Sequence, residues 1–176
     1  MKPTVLKVRL YGDPSLRQHC VAVDKVGTSE RVLIQSMLDT MYEQKGIGLA
    51  APQVGINKQI FVLDLNDDQD DQSGPYAIIN PKILKKSKQT SEMDEGCLSI
   101  PGVHIKIKRP KKITVEFMDH ENQIVTAELD GLLAKAFQHE FDHLQGRLTV
   151  DYASQEEKVK YKNALKKLKE ISTRKK

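Results

Sequence analysis

The sequence has no tryptophan, only two cysteines in 176 residues, and no long run of apolar residues. Two cysteines are too few for a scaffold held together by disulfides. Apolar runs such as 60–63 are far shorter than the roughly 20 residues that a transmembrane helix needs. The N-terminus lacks the apolar core of a signal peptide. We therefore expect a cytoplasmic protein with reduced thiols and no membrane partner.

The composition predicts one globular domain over residues 1–176, because the chain is 39% hydrophobic and 30% charged and contains no internal repeat or linker-like segment. Its net charge of +4 is unevenly distributed. Residues 153–176 contain nine basic and three acidic side chains, whereas the rest of the chain has a net charge of −2. The basic character is therefore a C-terminal appendage, and we expect no DNA partner.

The first half of the chain shows one helical pattern followed by β-rich segments. Apolar residues at helical spacing predict a helix over 30–44, with Thr28 or Ser29 as its N-cap and Gly46 as its stop. Segment 67–74 is acidic and is predicted to be a solvent-exposed loop. Short β-rich stretches predict strands over 60–65, 76–79, 82–90, 103–108, 113–118 and 124–129.

Two further helices are predicted after the strands. The first covers 132–144 with Asp130 as its cap, and the second is a basic helix that opens at Ser154, with Glu157 at the capping-box position. Strands grouped in the middle of the chain with helices at both ends favour an α+β fold with antiparallel sheets.

The strongest chemical signal is QHEFDH at 138–143, on the second of these helices. His139 and His143 are four residues apart and leave the same helix face, so both can bind one metal ion. Glu140 lies between them, where it can reach a water on that metal without being a ligand. The alternative is an ordinary helix that carries two histidines and a carboxylate.

A catalytic metal site usually has three protein ligands and one open position. The sequence has Thr149 where a metzincin requires its third histidine. Downstream, Glu156 and Glu157 open the basic helix and are expected to face solvent. Upstream, Cys97 lies between predicted strands and is a candidate ligand, although a lone cysteine is often only a small buried hydrophobe.

Three segments together resemble a known family. GIGLAAPQ at 46–53, EGCLS at 95–99 and QHEFDH at 138–143 are similar to the signature motifs of peptide deformylases. These hydrolases act on a linear amide bond and remove the formyl group from the N-terminal formylmethionine of new bacterial polypeptides. The resemblance extends from the N-terminal YGDPSLR segment to about residue 151 and implies antiparallel sheets around a central HExxH helix.

The resemblance also implies a metal site and roles for the residues around it. A divalent metal would be held by Cys97, His139 and His143, with Fe²⁺ as the usual ion and Zn²⁺, Ni²⁺ or Co²⁺ able to replace it. Glu140 would be the general base. The donors to the formyl oxygen would be the side-chain amide of Gln53 and the backbone N–H of Leu98.

The substrate implied by the resemblance is a nascent polypeptide that begins with N-formylmethionine. Its backbone would pair with the segment formed by Gly46, Ile47 and Gly48. Ala136 and Leu132 lie one and two turns before His139 on the same helix face, so we expect them to line the methionine slot.

Three further residues carry expectations of their own. His104 stands where the family commonly has Arg or Tyr beside the substrate channel, and it predicts a weaker, pH-dependent contact. Asp142 could orient one of the ligand histidines, and Glu95 could pair with Arg109.

The basic helix in 153–176 suggests weak, salt-sensitive contact with the ribosome, from which the substrate emerges. Two other functions compete with deformylation. One is a zincin-type metallopeptidase, which needs a downstream third ligand. The other is a catalytically decayed, ribosome-associated binding module, although every residue that the chemistry requires is present.

Overall fold

A computed structural model describes residues 2–65 and 74–174, so the predicted acidic loop over 67–74 lies almost wholly outside the described residues. The helices are α1 (Thr28–Glu43), α2 (Gly131–Leu144) and α3 (Gln155–Thr173), and short 3₁₀ helices form at Pro14–Arg17, Ala51–Val54 and Thr149–Tyr152. The strands are β1 (Gly48–Ala50), β2 (Ile60–Leu63), β3 (Tyr76–Lys86), β4 (Thr90–Glu95), β5 (Ile105–Pro110), β6 (Ile113–Met118) and β7 (Ile124–Leu129).

The strands form two antiparallel sheets. The larger sheet has five strands in the order β1-β2-β3-β6-β7, and the smaller sheet pairs β4 with β5. Helix α2 contacts β1 and β2 of the larger sheet and β5 of the smaller sheet. The predicted α+β class with antiparallel pairing is confirmed, and the HExxH helix packs against both sheets.

The strand predictions are correct for β6 and β7. Elsewhere they need correction: β2 ends at Leu63 rather than at 65, β5 covers Ile105–Pro110 rather than 103–108, and β1 was not predicted. The predicted pieces 76–79 and 82–90 belong mainly to one strand, β3, which continues through an irregularity between Ile79 and Lys82. At this point Asn80 has a positive φ of 51°, and Pro81 follows it. Strand β4 was not predicted as a separate element, because its sequence is polar and it is held mainly by pairing with β5.

Both predicted ends of α1 need correction. The N-cap is Gly27 rather than the predicted Thr28 or Ser29, and the Gly27 N–H donates to the carboxylate of Glu30 at 3.0 Å. At the other end, Lys45 takes the left-handed conformation with a φ of 56°. The Gly46 N–H then closes onto the Met41 carbonyl at 2.9 Å, which completes a Schellman motif.

Helix α3 is an integral part of the fold. Ser154 caps its N-terminus by accepting the Glu157 N–H, as the sequence predicted. Leu168 is buried with the apolar residues of β5, and Tyr161 and Leu165 pack against the same cluster. The lysines of α3 are exposed on its other faces. None of the helices in the described part of the chain is both long and apolar enough to cross a membrane.

The Glu30 carboxylate gives a pH-dependent test of the fold. The ammonium of Lys58, the hydroxyl of Ser29 and the N–H of Gly27 all bond to it, and together they lower the pKa of Glu30 from 4.5 to about 2. Because the folded-state pKa is depressed, this contribution to stability is present above pH 4.5 and is lost as the pH falls toward 2.

We predict that Glu30→Gln lowers the free energy of unfolding by about 1–2 kcal/mol at pH 6, and by clearly less at pH 3. Urea denaturation at the two pH values measures the difference. The control is Glu43→Gln, an exposed carboxylate at the other end of α1. An equal loss at both pH values would contradict this account of Glu30.

Candidate metal centre and substrate cavity

The three predicted metal ligands meet at one point. Helix α2 presents His139 and His143 one turn apart, and the loop after β4 brings Cys97 to them. The Cys97 Sγ lies 3.4 Å from His143 Nε2, and one ligand atom from each of the three residues lies within 4.8 Å of the others. The fold therefore brings together Cys97 and His139, which are 42 residues apart in the sequence.

The geometry and the donor types fit a divalent metal ion. Bonds of about 2.3 Å to sulfur and about 2.1 Å to nitrogen, at tetrahedral angles, separate the two ligand atoms by roughly 3.6 Å. The observed separation of 3.4 Å between Cys97 Sγ and His143 Nε2 is close to that value. One thiolate and two imidazoles are ligands that Zn²⁺ and Fe²⁺ accept. The three residues are therefore compatible with a divalent metal.

The ring of His139 is fixed by a carboxylate. Its Nδ1 lies 2.9 Å from the Oε2 of Glu95, which leaves Nε2 for the cluster. Arg109 donates two hydrogen bonds to the same carboxylate, at 2.6 and 3.0 Å. The Glu95 and Arg109 side chains are only 3% and 6% exposed. The predicted pairing of Glu95 with Arg109 is confirmed.

The predicted role of Asp142 is wrong. Its carboxylate accepts hydrogen bonds from Arg109, at 2.9 Å, and from the hydroxyl of Tyr152, at 2.8 Å, and not from a ligand histidine. Glu95 contacts His139 instead, because β4 ends beside that turn of α2. Tyr152 was not among the residues predicted from the sequence to lie near the site.

Burial and neighbouring charges shift several pKa values in this network. Burial alone would raise the pKa of Glu95, but the hydrogen bonds from His139 and Arg109 outweigh it, and the pKa is lowered. The pKa of Arg109 is raised, since its two carboxylate partners outweigh the cost of its own burial. Burial and the nearby charge of His139 hold the pKa of His143 well below its ordinary value.

Glu140 lies directly beside the cluster. Its Oε1 is 4.0 Å from His139 Nε2, and its Oε2 is buried without a hydrogen-bond partner in the described part of the chain. Burial raises the pKa of Glu140 to about 7, and the negative charges of Glu95 and Asp142 act in the same direction. A carboxylate in this state can both accept and return a proton.

The position of the Glu140 carboxylate requires a glycine at residue 48. A Cβ atom at Gly48 would overlap the Glu140 side chain, so no larger residue fits between β1 and α2 without displacing it. The family resemblance implied that a peptide backbone pairs with this segment. The structure gives Gly48 a second reason, which is the close approach of Glu140.

The predicted oxyanion donors also lie at the cluster. The Gln53 side chain is buried, and its Nε2 lies 3.5 Å from Cys97 Sγ and 3.1 Å from Ser99 Oγ. Its Oε1 accepts the Ala50 N–H at 2.8 Å. The Leu98 N–H has no acceptor within the described ranges, so it is available to a ligand.

A cavity of about 390 Å³ opens onto these groups. Its walls include all the residues predicted to contact substrate: Gly46, Ile47, Gly48, His104, Leu132 and Ala136. They also include Met93 and Lys135, which the sequence analysis did not identify. The spacing of α2 could have revealed Lys135, because it lies four residues before His139 on the same face.

Comparison with known proteins places the chain in a family. A family model described as polypeptide deformylase matches residues 5–159. A curated peptide deformylase of Thermotoga maritima is 43% identical over 148 residues, which cover 84% of this chain and 87% of that protein. The chain belongs to the polypeptide deformylase family. It is a hydrolase of nascent polypeptides, and its activity is the metal-dependent removal of their N-formyl group.

Solved structures agree with the family assignment. The crystal structure of Ehrlichia chaffeensis peptide deformylase in complex with actinonin matches with a TM-score of 0.87 and 37% identity, over 96% of this chain and 98% of that one. Arabidopsis thaliana peptide deformylase 1B in complex with an inhibitor matches with a TM-score of 0.88 and 33% identity, over 97% and 93% of the two chains. The resemblance found in the three motifs is therefore confirmed over the whole fold.

The metallopeptidase alternative finds no support at the positions where it needs a third ligand. Thr149 is buried, and its hydroxyl has no partner within the described ranges. The Glu157 carboxylate accepts the N–H of Ser154 at the start of α3 and the N–H of Lys106 on β5.

The buried ion network predicts a large effect for Arg109→Ala. The substitution leaves Glu95 and Asp142 buried without their counter-charge, so we expect the free energy of unfolding to fall by about 3–5 kcal/mol. Urea denaturation of the metal-free protein measures this loss. The matched control is Lys82→Ala, whose ammonium is 68% exposed in its pair with Glu116 and should contribute less than about 1 kcal/mol. Similar small losses in both variants would contradict the proposed importance of the network.

His104 gives a kinetic prediction. It lines the cavity beside Gly96 and, within the described residues, makes no hydrogen bond or ion pair with Cys97, His139 or His143. We therefore expect His104→Arg to change KM for a formylated peptide by several-fold while kcat stays within about twofold. Steady-state kinetics over a range of peptide concentrations measures both constants. A large loss of kcat at unchanged KM would show that His104 acts on the reaction rather than on binding.

Proposed function

We propose that deformylation takes place at the centre formed by Cys97, His139 and His143, with Glu140 as the general base. The observation that carries this proposal is the convergence of one thiol and two imidazoles within 4.8 Å, at a cavity that also exposes Glu140. When bound there, a divalent metal supplies a Lewis acid and a water of lowered pKa.

The residues around the centre divide the reaction between them. Glu140 takes a proton from the attacking water as the water oxygen bonds to the formyl carbon, and the formyl oxygen gains negative charge. The Gln53 side chain and the Leu98 N–H donate hydrogen bonds to that oxygen. Glu140 then gives the proton to the leaving nitrogen, the carbon–nitrogen bond breaks, and formate and a free N-terminus result.

The cavity supplies the substrate contacts. We propose that the methionine side chain enters between Leu132 and Ala136, the two apolar residues that α2 presents before His139. Gly46, Ile47 and Gly48 would pair with the peptide backbone. In support, β1 lies at an edge of the larger sheet, where its free side can accept another extended chain.

The identity of the metal is part of the proposal. We propose Fe²⁺ as the ion in the cell, with Zn²⁺, Ni²⁺ or Co²⁺ able to occupy the same ligands, since one thiolate and two imidazoles suit all four ions. We also propose that the protein acts in the cytoplasm, where its thiol ligand stays reduced.

Residues 1–176 would form one domain, because α3 packs against the apolar cluster of β5.

We predict that the wild-type protein, loaded with Fe²⁺ or Ni²⁺ without oxygen, releases formate from formyl-Met-Ala peptides. Glu140→Ala should lower kcat by about 10²–10⁴, because it removes the group that moves the proton in this mechanism. The control is Glu92→Ala, an exposed carboxylate on β4. A folded, metal-loaded wild type that releases no formate would refute the proposed function. Cleavage of casein would favour the peptidase alternative.

The basic surface of α3 supports a weak contact with the ribosome. Lys158, Lys162 and Lys166 are exposed at four-residue spacing, so they share one face of the helix. Removing the whole helix would also remove the buried Leu168 and expose the apolar cluster that it packs against. Charge reversal is therefore a cleaner test than truncation.

We predict that changing Lys158, Lys162 and Lys166 together to Glu lowers co-sedimentation with ribosomes at low salt by at least tenfold and leaves formate release from short peptides unchanged. The matched control reverses three exposed lysines at the end of β3 and in the turn after it: Lys85, Lys86 and Lys88. Equal losses in both triple variants would show that net charge, and not α3, governs the association.

A further inference from the structure

The amide of Gln53 is held from two sides in the protein interior. Its oxygen accepts the Ala50 N–H at 2.8 Å, and its nitrogen donates to Ser99 Oγ at 3.1 Å. Gln53 is 1% exposed and Ser99 is 0% exposed, so water does not compete for these contacts. The nitrogen also lies 3.5 Å from Cys97 Sγ, which marks the side that faces the reacting groups.

A primary amide has two N–H bonds in one plane, and the direction of one fixes the direction of the other. If Ser99 accepts the first N–H of Gln53, the second must point toward the side of Cys97. The Ala50 contact fixes which end of the amide is oxygen, but rotation about the terminal torsion is soft. The Ala50 contact at the oxygen and the Ser99 contact at the nitrogen therefore set the plane of the amide together, and Ser99 holds the nitrogen end.

We infer that Ser99 is a positioning residue for the reaction: its hydroxyl holds one N–H of Gln53 so that the other is presented to the formyl oxygen. This inference rests on the proposed role of Gln53 as an oxyanion donor. A donor that is already aimed at the developing charge needs no reorganisation during the reaction, and this is the source of its effect on rate.

The hydroxyl of Ser99 is free to serve this purpose. Within the described residues it has no side-chain partner other than Gln53. The backbone of Ser99 is fixed separately, because its carbonyl accepts the Tyr11 N–H at 2.8 Å. Removing the hydroxyl should therefore release the amide and leave the loop in place.

The test is a double-mutant cycle on the metal-loaded enzyme. We expect Ser99→Ala to lower kcat about tenfold with KM within twofold, as the loss of one hydrogen bond predicts. In a Gln53→Ala background the same change should lower kcat by less than twofold, because the group that it positions is gone. Ser99→Thr keeps the hydroxyl and should retain most of the activity. The control for loss of a buried serine is Ser36→Ala on α1, which should leave kcat unchanged.

Proton exchange of the Gln53 side-chain amide, measured by NMR, gives a readout that does not depend on activity. We expect Ser99→Ala to speed this exchange at least tenfold. Unchanged exchange, or an equal loss of kcat from Ser99→Ala in both backgrounds, would overturn the inference. If Gln53→Ala itself keeps full kcat, the proposed oxyanion donor is wrong, whereas the exchange measurement still decides whether Ser99 holds the amide.

Discussion

The guanidinium of Arg109 pairs with two buried carboxylates, Glu95 and Asp142, and the orientation of the His139 ring depends on this pairing. Glu95 would be costly to bury alone, yet it must be buried to reach the ring of His139. Arg109 offsets that cost with two hydrogen bonds and binds Asp142 with a third. One cation on β5 therefore ties the end of β4 to α2, and the position of His139 follows from how these three elements pack.

The same close packing also fixes the positions of the other functional groups. Glu140 keeps its place beside the metal ligands because β1 carries Gly48 at the point of contact. The burial that results raises the pKa of Glu140 into the range where a carboxylate can move a proton near neutral pH. Gln53 lies on the 3₁₀ helix after β1, and its amide is anchored before any substrate arrives. The site is thus organised by the fold around it.

Helices and strands with a regular local pattern of apolar residues could be predicted from the sequence. Helical spacing predicted α1, α2 and α3, and strand alternation predicted β6 and β7 within their observed bounds. The three motifs also contain Gln53, Cys97, His139, Glu140 and His143, which converge at one end of the cavity. Contacts between distant elements could not be predicted in this way. The choice of Glu95 over Asp142 as the partner of His139 depends on where β4 ends relative to α2. Alternation along β5 places Arg109 on the buried face with Ile105 and Ile107, so that signal was present in the sequence.

We propose that one thiolate and two imidazoles are the ligands of a single metal ion. X-ray absorption spectroscopy of the anaerobically reconstituted protein tests this directly. We predict one metal per chain, with one sulfur at about 2.3 Å and two imidazole nitrogens at about 2.0–2.1 Å. Replacing Cys97 by Ser should remove the sulfur signal and leave both nitrogens. A metal shell without sulfur in the wild-type protein, or one with a single imidazole, would contradict the assignment of Cys97, His139 and His143.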